Sequence, residues 1–177
     1  MDEQILSKNP SNVLMVDDTP ANLKLLSGML KARGYNMRAA LSGDIEKDRG
    51  HATFLASMMA ETGDLDGALA LLDVHAARWP DEFTFTHAAA RHLLDAERLP
   101  EAEARARTAL GKAWGDQRLR AAALLAKVLV ARGQKPEAAF VIEAALREMP
   151  APAADVDVRT HRYRTELETL RAGLAGK

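Results

Sequence analysis

The 177-residue sequence contains no cysteine, which excludes disulfides, thiolate metal ligands and cysteine nucleophiles. Aromatic residues make up only 5% of the sequence, a composition that suits closely packed helices better than a β-sandwich. No uninterrupted apolar run reaches the roughly 18 residues that a membrane span requires. The segment Met1-Asp2-Glu3 also lacks the basic and apolar regions of a secretory signal. We therefore expect a cytoplasmic protein that does not bind membranes.

The charge is nearly balanced, with a formal net charge of −1 at pH 7. This balance gives no general attraction to nucleic acid or to anionic lipid. The basic residues near the carboxyl terminus are interleaved with acids, which indicates a solvated helix face. These basic residues are Arg159, Arg162, Arg164 and Arg171, and the acids are Asp155, Asp157, Glu166 and Glu168.

The histidines and serines show neither metal-ligand spacing nor a nucleophile–base arrangement. His87 and His92, for example, are five residues apart and would point to different faces of a helix. The sequence also contains no glycine-rich phosphate loop. We therefore predict a protein that is not an enzyme.

Small residues recur at a fixed period between residues 50 and 150. One set of three marks the expected first helices of helix pairs, and a second set, twelve residues later, marks the second helices. Successive second-helix positions are 34 and 36 residues apart. The first set is Ala56, Ala90 and Ala126, and the second is Ala68, Ala102 and Ala138. Such a period predicts a helix–turn–helix array, because tightly paired helices need small side chains where they cross.

This pattern resembles the tetratricopeptide repeat family over about residues 50–150. Turn residues separate the two helices of each repeat at Gly63-Asp64, Glu97-Arg98 and Gly133-Gln134. The resemblance implies a mainly α fold, a solenoid of three helical hairpins with a concave groove. A final helix that ends near Ala175 would cap it, since repeat arrays need a terminal helix with one polar face.

In the tetratricopeptide family, exposed positions of the first helices bind a peptide or protein in the groove. The matching positions in this sequence are Thr53, Ser57, Glu61, Thr84, His87, Arg91, Asp95, Arg120 and Lys127. Arg91, Arg120 and Lys127 would form a positive patch on neighbouring repeats. We expect this patch to bind a peptide's carboxylate by charge-assisted hydrogen bonds, with ordinary surface charges as the alternative. The partner, the pathway and the oligomeric state are left open.

A second resemblance covers about residues 11–44. The apolar run Val13 to Val16 predicts a buried strand, the segment from Ala21 to Arg33 predicts a helix, and Tyr35 to Ala40 predicts a second strand. Together with Asp17-Asp18 and Ser42-Gly43-Asp44, this βαβ pattern resembles the start of a response-regulator receiver domain. In that family the paired acids help to hold Mg²⁺ beside a phosphoacceptor aspartate.

The rest of a receiver is missing from the sequence. The phosphoacceptor position would fall on Ala56, and everything from Ala52 onward has the pattern of helices. We therefore interpret Asp17 and Asp18 as a vestigial turn rather than a working metal site. No cofactor is expected, and Mg²⁺ would bind only if these two acids are functional.

We predict three segments: a truncated receiver-like βαβ fragment over residues 1–48, three repeats over 49–150, and a linker with a capping helix over 151–177. The expected function is a non-enzymatic adaptor that binds a peptide or protein, linked to two-component signalling by its first segment. The alternative is a phosphorelay signalling protein with a degenerate or incomplete receiver domain.

Overall fold

The computed structural model describes residues 12–17, 20–41, 49–149 and 158–175. The elements in chain order are β1 (Asn12–Asp17), α1 (Pro20–Lys31), β2 (Asn36–Leu41), α2 (Arg49–Glu61), α3 (Leu65–Arg78), α4 (Thr84–Asp95), α5 (Leu99–Lys112), α6 (Gln117–Ala131), α7 (Lys135–Glu148) and α8 (Val158–Ala175). The prediction of a mainly helical protein with a short βαβ segment is confirmed.

The chain divides into two compact units, Met1–Leu71 and Leu72–Lys177, and the division falls within α3. The segment boundaries at residues 48 and 150 stay predictions, because residues 42–48 and 150–157 lie outside the described ranges. None of the helices described is long and apolar enough to cross a membrane.

In the first unit, β1 and β2 form a two-stranded parallel sheet. Their register runs from Asn12 opposite Asn36 to Asp17 opposite Leu41. Helix α1 contacts both strands, as a βαβ connection requires, and α2 contacts β1. The turn after α1 contains Gly34 at φ 85°, a left-handed conformation that glycine adopts without strain.

Helix α1 only partly buries the apolar face that its spacing predicts. Leu23 is 8% exposed, whereas Leu26 and Met29 are 44% and 54% exposed. A sheet of two strands is narrow, so within the described residues it covers only part of this face. The exposed remainder is a consequence of the small size of the βαβ segment.

The six small residues of the repeat pattern are all fully buried. Ala56, Ala68, Ala90, Ala102, Ala126 and Ala138 each have a relative exposure of 0%. In the second unit, α4 packs against α5, and α6 packs against α5 and α7. Helix α8 packs against α6 and α7. The burial of these six alanines agrees with the prediction that small side chains lie where the helices pack.

The turns from α2 to α3, from α4 to α5 and from α6 to α7 share one backbone conformation. Each contains one residue with a positive φ: Gly63 at 95°, Glu97 at 57° and Gly133 at 77°. In each turn the following N–H donates to a carbonyl five residues back. These bonds are Asp64 to Met59 at 2.8 Å, Arg98 to Leu93 at 2.9 Å, and Gln134 to Leu129 at 2.8 Å. This is the Schellman ending, which satisfies carbonyls that the helix leaves unpaired.

At the start of α6, Asp116 stands at the N-cap position, and its side chain makes no capping hydrogen bond. One feature of α8 differs from the sequence prediction. The arginines of α8 do not form a purely solvated face. Arg164 donates from Nη1 to the carbonyl oxygens of Leu146 and Met149 at 3.2 and 2.6 Å, and so binds the end of α7. The negative end of a helix favours such a cation.

Candidate functional site

Helices α4, α6 and α8 of the second unit line a cleft of about 340 Å³. We call it the basic cleft. It is lined by His87, Arg91, Leu94, Asp95, Arg120, Leu124, Lys127, Arg162, Tyr163 and Glu166. Arg91 and Lys127 directly follow the buried alanines Ala90 and Ala126, so they occupy equivalent positions in the predicted repeat pattern. Both cations line the same cleft.

The structure brings together five of the nine predicted groove residues. They are His87, Arg91, Asp95, Arg120 and Lys127. Thr84 is not among the residues lining the cleft. Its hydroxyl donates to Glu82 Oε1 at 2.6 Å, and its backbone N–H bonds the same oxygen at 3.1 Å. These hydrogen bonds connect Thr84, the first residue of α4, to the segment that precedes the helix.

The other three predicted residues, Thr53, Ser57 and Glu61, lie on α2 in the first unit. Ser57 Oγ donates to the carbonyl of Thr53 at 3.0 Å, a bond within the helix. Glu61 Oε1 accepts a bond from Asn12 Nδ2 at 2.9 Å and so joins α2 to β1. The described contacts of Ser57 and Glu61 are internal to that unit.

Helix α8 contributes residues to the cleft, whereas the sequence pattern predicted only a capping helix here. Arg162, Tyr163 and Glu166 all line the cleft, and Tyr163 is only 8% exposed. Lys127 Nζ lies 2.5 Å from Glu166 Oε1, which joins α6 to α8. One signal in the sequence could have indicated that α8 contributes to the cleft: Tyr163 follows Lys127 by 36 residues, which is the spacing between the second and third predicted repeats.

His87 differs from the exposed groove position that its place in the repeat predicts, because it is only 7% exposed. Its ring meets the ring of Phe83 edge to face, with centroids 5.7 Å apart. Burial, followed by the positive charges of Arg120 and Arg91, lowers the pKa of His87 to about 3. The imidazole is therefore neutral at pH 7.

The guanidinium of Arg120 lies 5.9 Å from the centroid of the Phe83 ring, a cation–π distance. Arg120 also lowers the pKa of His87 through its charge, while a hydrogen bond with its backbone raises it. This combination places one arginine beside an aromatic ring and a neutral imidazole. Neither of these neighbours carries a negative charge.

Asp17, one of the two predicted magnesium ligands, ends β1. Both of its carboxylate oxygens lie 3.2 Å from Asn22 Nδ2, which donates to them. Asp18 lies outside the described residues. In the described ranges, no group of three or more histidine, aspartate or glutamate side chains could hold a metal ion. The magnesium site stays a prediction, because its second proposed ligand, Asp18, is not among the described residues.

No protein-family model, curated protein or solved structure matches this chain. The resemblances to tetratricopeptide repeats and to a receiver domain therefore depend on the residues themselves.

Proposed function

We propose that this protein is a non-enzymatic adaptor whose basic cleft binds an anionic segment of a peptide or protein. We further propose that α2 to α7 form three tetratricopeptide-like repeats and that α8 completes the binding face. The observation that supports this function most directly is the convergence of five independently predicted groove residues on one cleft.

The chemistry of the cleft suits a carboxylate-bearing peptide. Arg91, Arg120 and Lys127 lie on α4 and α6 and all line the cleft, so they offer several charged N–H donors to a carboxylate. Leu94 and Leu124 supply apolar surface beside the charges. Peptide sites commonly combine a few charged groups, which orient the ligand, with apolar contacts that contribute affinity.

The test measures peptide binding by fluorescence anisotropy. Three libraries of otherwise degenerate seven-residue peptides would carry glutamate, glutamine or lysine at the central position. We expect the glutamate library to bind best, and the variant Arg91→Glu plus Arg120→Glu to lose at least tenfold in affinity. Like charges in the cleft would then repel the ligand.

The matched control is Lys135→Glu plus Arg147→Glu, which changes the net charge equally. Both residues are exposed, lie on α7 and are absent from the cleft lining. They stand at opposite ends of the helix, so their effects on the helix dipole oppose each other. Equal binding by the cleft variant and the control would refute the proposed function.

The alternative is a phosphorelay role, and one observation favours it: Asp17 ends the first strand of a parallel βαβ segment. Against it, residues 49–149 form helices, and Ala56, at the phosphoacceptor position, is fully buried in α2. Incubation with a small phosphodonor and Mg²⁺ tests this alternative. Acid-labile phosphate in the native protein but not in Asp17→Asn would support it.

A further inference from the structure

The charges lining the basic cleft do not balance. Arg91, Arg120, Lys127 and Arg162 contribute four positive charges, whereas Asp95 and Glu166 contribute two negative charges. His87 adds none, because its pKa of about 3 keeps the ring neutral at pH 7. The lining therefore carries a surplus of two positive charges. A single carboxylate would offset half of that surplus, and a dianion would offset all of it.

Three of the four cations are arginines, and they come from three different helices. The planar guanidinium group offers paired N–H donors that match phosphate oxygens, and it stays charged at every relevant pH. A phosphoryl group on serine or threonine has three acceptor oxygens and nearly two negative charges at pH 7. Both its charge and its number of acceptors fit this set of donors better than a carboxylate does.

We propose that the basic cleft recognises a phosphorylated serine or threonine side chain of a partner peptide, with Arg91, Arg120 and Arg162 as its phosphate donors. This inference rests on the proposed function, since it names the anion that the bound segment carries. Lys127 Nζ lies 2.5 Å from Glu166 Oε1, so a ligand would share this cation with a carboxylate of the chain.

A peptide fits the cleft better than a nucleic acid does. Asp95 and Glu166 lie among the cations and would repel a continuous phosphate backbone. A peptide with one phosphoryl group meets the arginines without the same repulsion. Leu94 and Leu124 then lie where the apolar side chains that flank a phosphorylated residue can pack. The chain as a whole carries a net charge of −1, which also disfavours nucleic acid.

The experiment adds two libraries, with central phosphoserine and central serine, to the glutamate library, and measures all three at pH 7.5 and pH 5.5. At pH 7.5 we expect phosphoserine peptides to bind about tenfold tighter than glutamate peptides, and serine peptides weakest. The phosphoserine affinity should fall about fourfold at pH 5.5, because the second phosphate pKa is about 6. The glutamate library is the control for any effect of pH on the cleft itself, whose ionisable lining residues, His87, Asp95, Tyr163 and Glu166, are the same in all three experiments.

The double variant Arg91→Gln plus Arg120→Gln and the single variant Arg162→Gln should each remove most of the preference for phosphoserine. Circular dichroism verifies that both variants fold. Lys135→Gln plus Arg147→Gln is the matched control. Equal binding of phosphoserine and glutamate peptides, abolished by Arg91→Glu plus Arg120→Glu, would overturn this inference and leave the proposed function intact. Binding by no library would overturn both. A single-stranded oligonucleotide that binds as tightly as the phosphoserine peptides would also overturn the inference.

Discussion

The ammonium group of Lys127 on α6 lies 2.5 Å from a carboxylate oxygen of Glu166 on α8, within the lining of the basic cleft. Lys127 is one of the cations predicted to bind the partner's anion. A carboxylate of the chain itself therefore already contacts a residue assigned to the ligand. Any anionic ligand that uses Lys127 has to compete with Glu166.

The variant Glu166→Gln should bind anionic peptides about three- to tenfold tighter than the native protein. It removes the competing charge and raises the positive surplus of the cleft from two to three. The two side chains are 45% and 35% exposed, so the loss of the pair should cost less than about 1 kcal/mol of stability. Titration with the glutamate and phosphoserine libraries measures the affinity.

Glu143→Gln is the matched control for this prediction. Glu143 pairs with Arg171 at 3.6 Å and also joins α8 to a neighbouring helix, but neither residue lines the cleft. Its affinity should equal that of the native protein. An unchanged affinity of Glu166→Gln would show that Lys127 takes no part in binding.

Ala102 tests the close approach of the paired helices. It is fully buried on α5, whereas Ala104 on the same helix is exposed. Ala102→Leu should destabilise the protein by about 1–3 kcal/mol or more, because extra methylene groups cannot enter a close-packed helix crossing. Ala104→Leu should change the free energy of unfolding by less than about 0.5 kcal/mol. Urea denaturation measures the free energy of unfolding of both variants. Equal stability of Ala102→Leu and Ala104→Leu would contradict close packing at Ala102.

Glu97 occupies a left-handed position in the turn between α4 and α5. Glycine occupies the equivalent position in the turns after α2 and α6. The φ of Glu97 is 57°, against 95° for Gly63 and 77° for Gly133. Glu97→Gly should therefore raise the free energy of unfolding by about 0.5–1 kcal/mol, since it relieves backbone strain.

The reverse change, Gly133→Ala, serves as the counterpart. A Cβ atom at Gly133 would meet nothing within 4 Å, so only the backbone conformation opposes the substitution. We expect a loss of about 1 kcal/mol in the same denaturation experiment. A stabilising effect of Gly133→Ala would show that its turn is not held in the left-handed conformation.

The repeat period predicted the features that depend on local spacing. It identified alanines that are fully buried, such as Ala90 and Ala126, and the turn residues Gly63 and Gly133. These features follow from sequence because a helical hairpin of fixed length places the same residue at the same crossing every time.

The sequence did not predict how α8 is used. Its arginines and glutamates are compatible with a solvated face, yet Arg164 binds the end of α7 and Arg162 lines the cleft. Which side of such a mixed helix packs inward depends on the surface that α6 and α7 present, which no local pattern contains. The partial burial of α1 has a similar origin, because it depends on the width of the sheet.

His87 should make the protein less stable in mildly acidic solution. Its pKa is about 3 in the folded protein, compared with 6.5 for an ordinary histidine. As the pH falls below 6.5, the unfolded chain takes up a proton that the folded protein does not, so stability is lost progressively until about pH 3. Between pH 7.5 and pH 5.0 the loss from this residue is about 2 kcal/mol.

The variant His87→Gln removes this titration, so its stability should fall less than that of the native protein over the same pH interval. Urea denaturation at pH 7.5 and pH 5.0 gives the difference, and carboxylates elsewhere contribute equally to both proteins. His161→Gln is the matched control, since His161 is only partly buried on α8 and does not line the cleft. Equal pH dependence of the native protein and His87→Gln would mean that the folded state accepts a proton on His87, so that neither its burial nor the cations around it lower its pKa substantially.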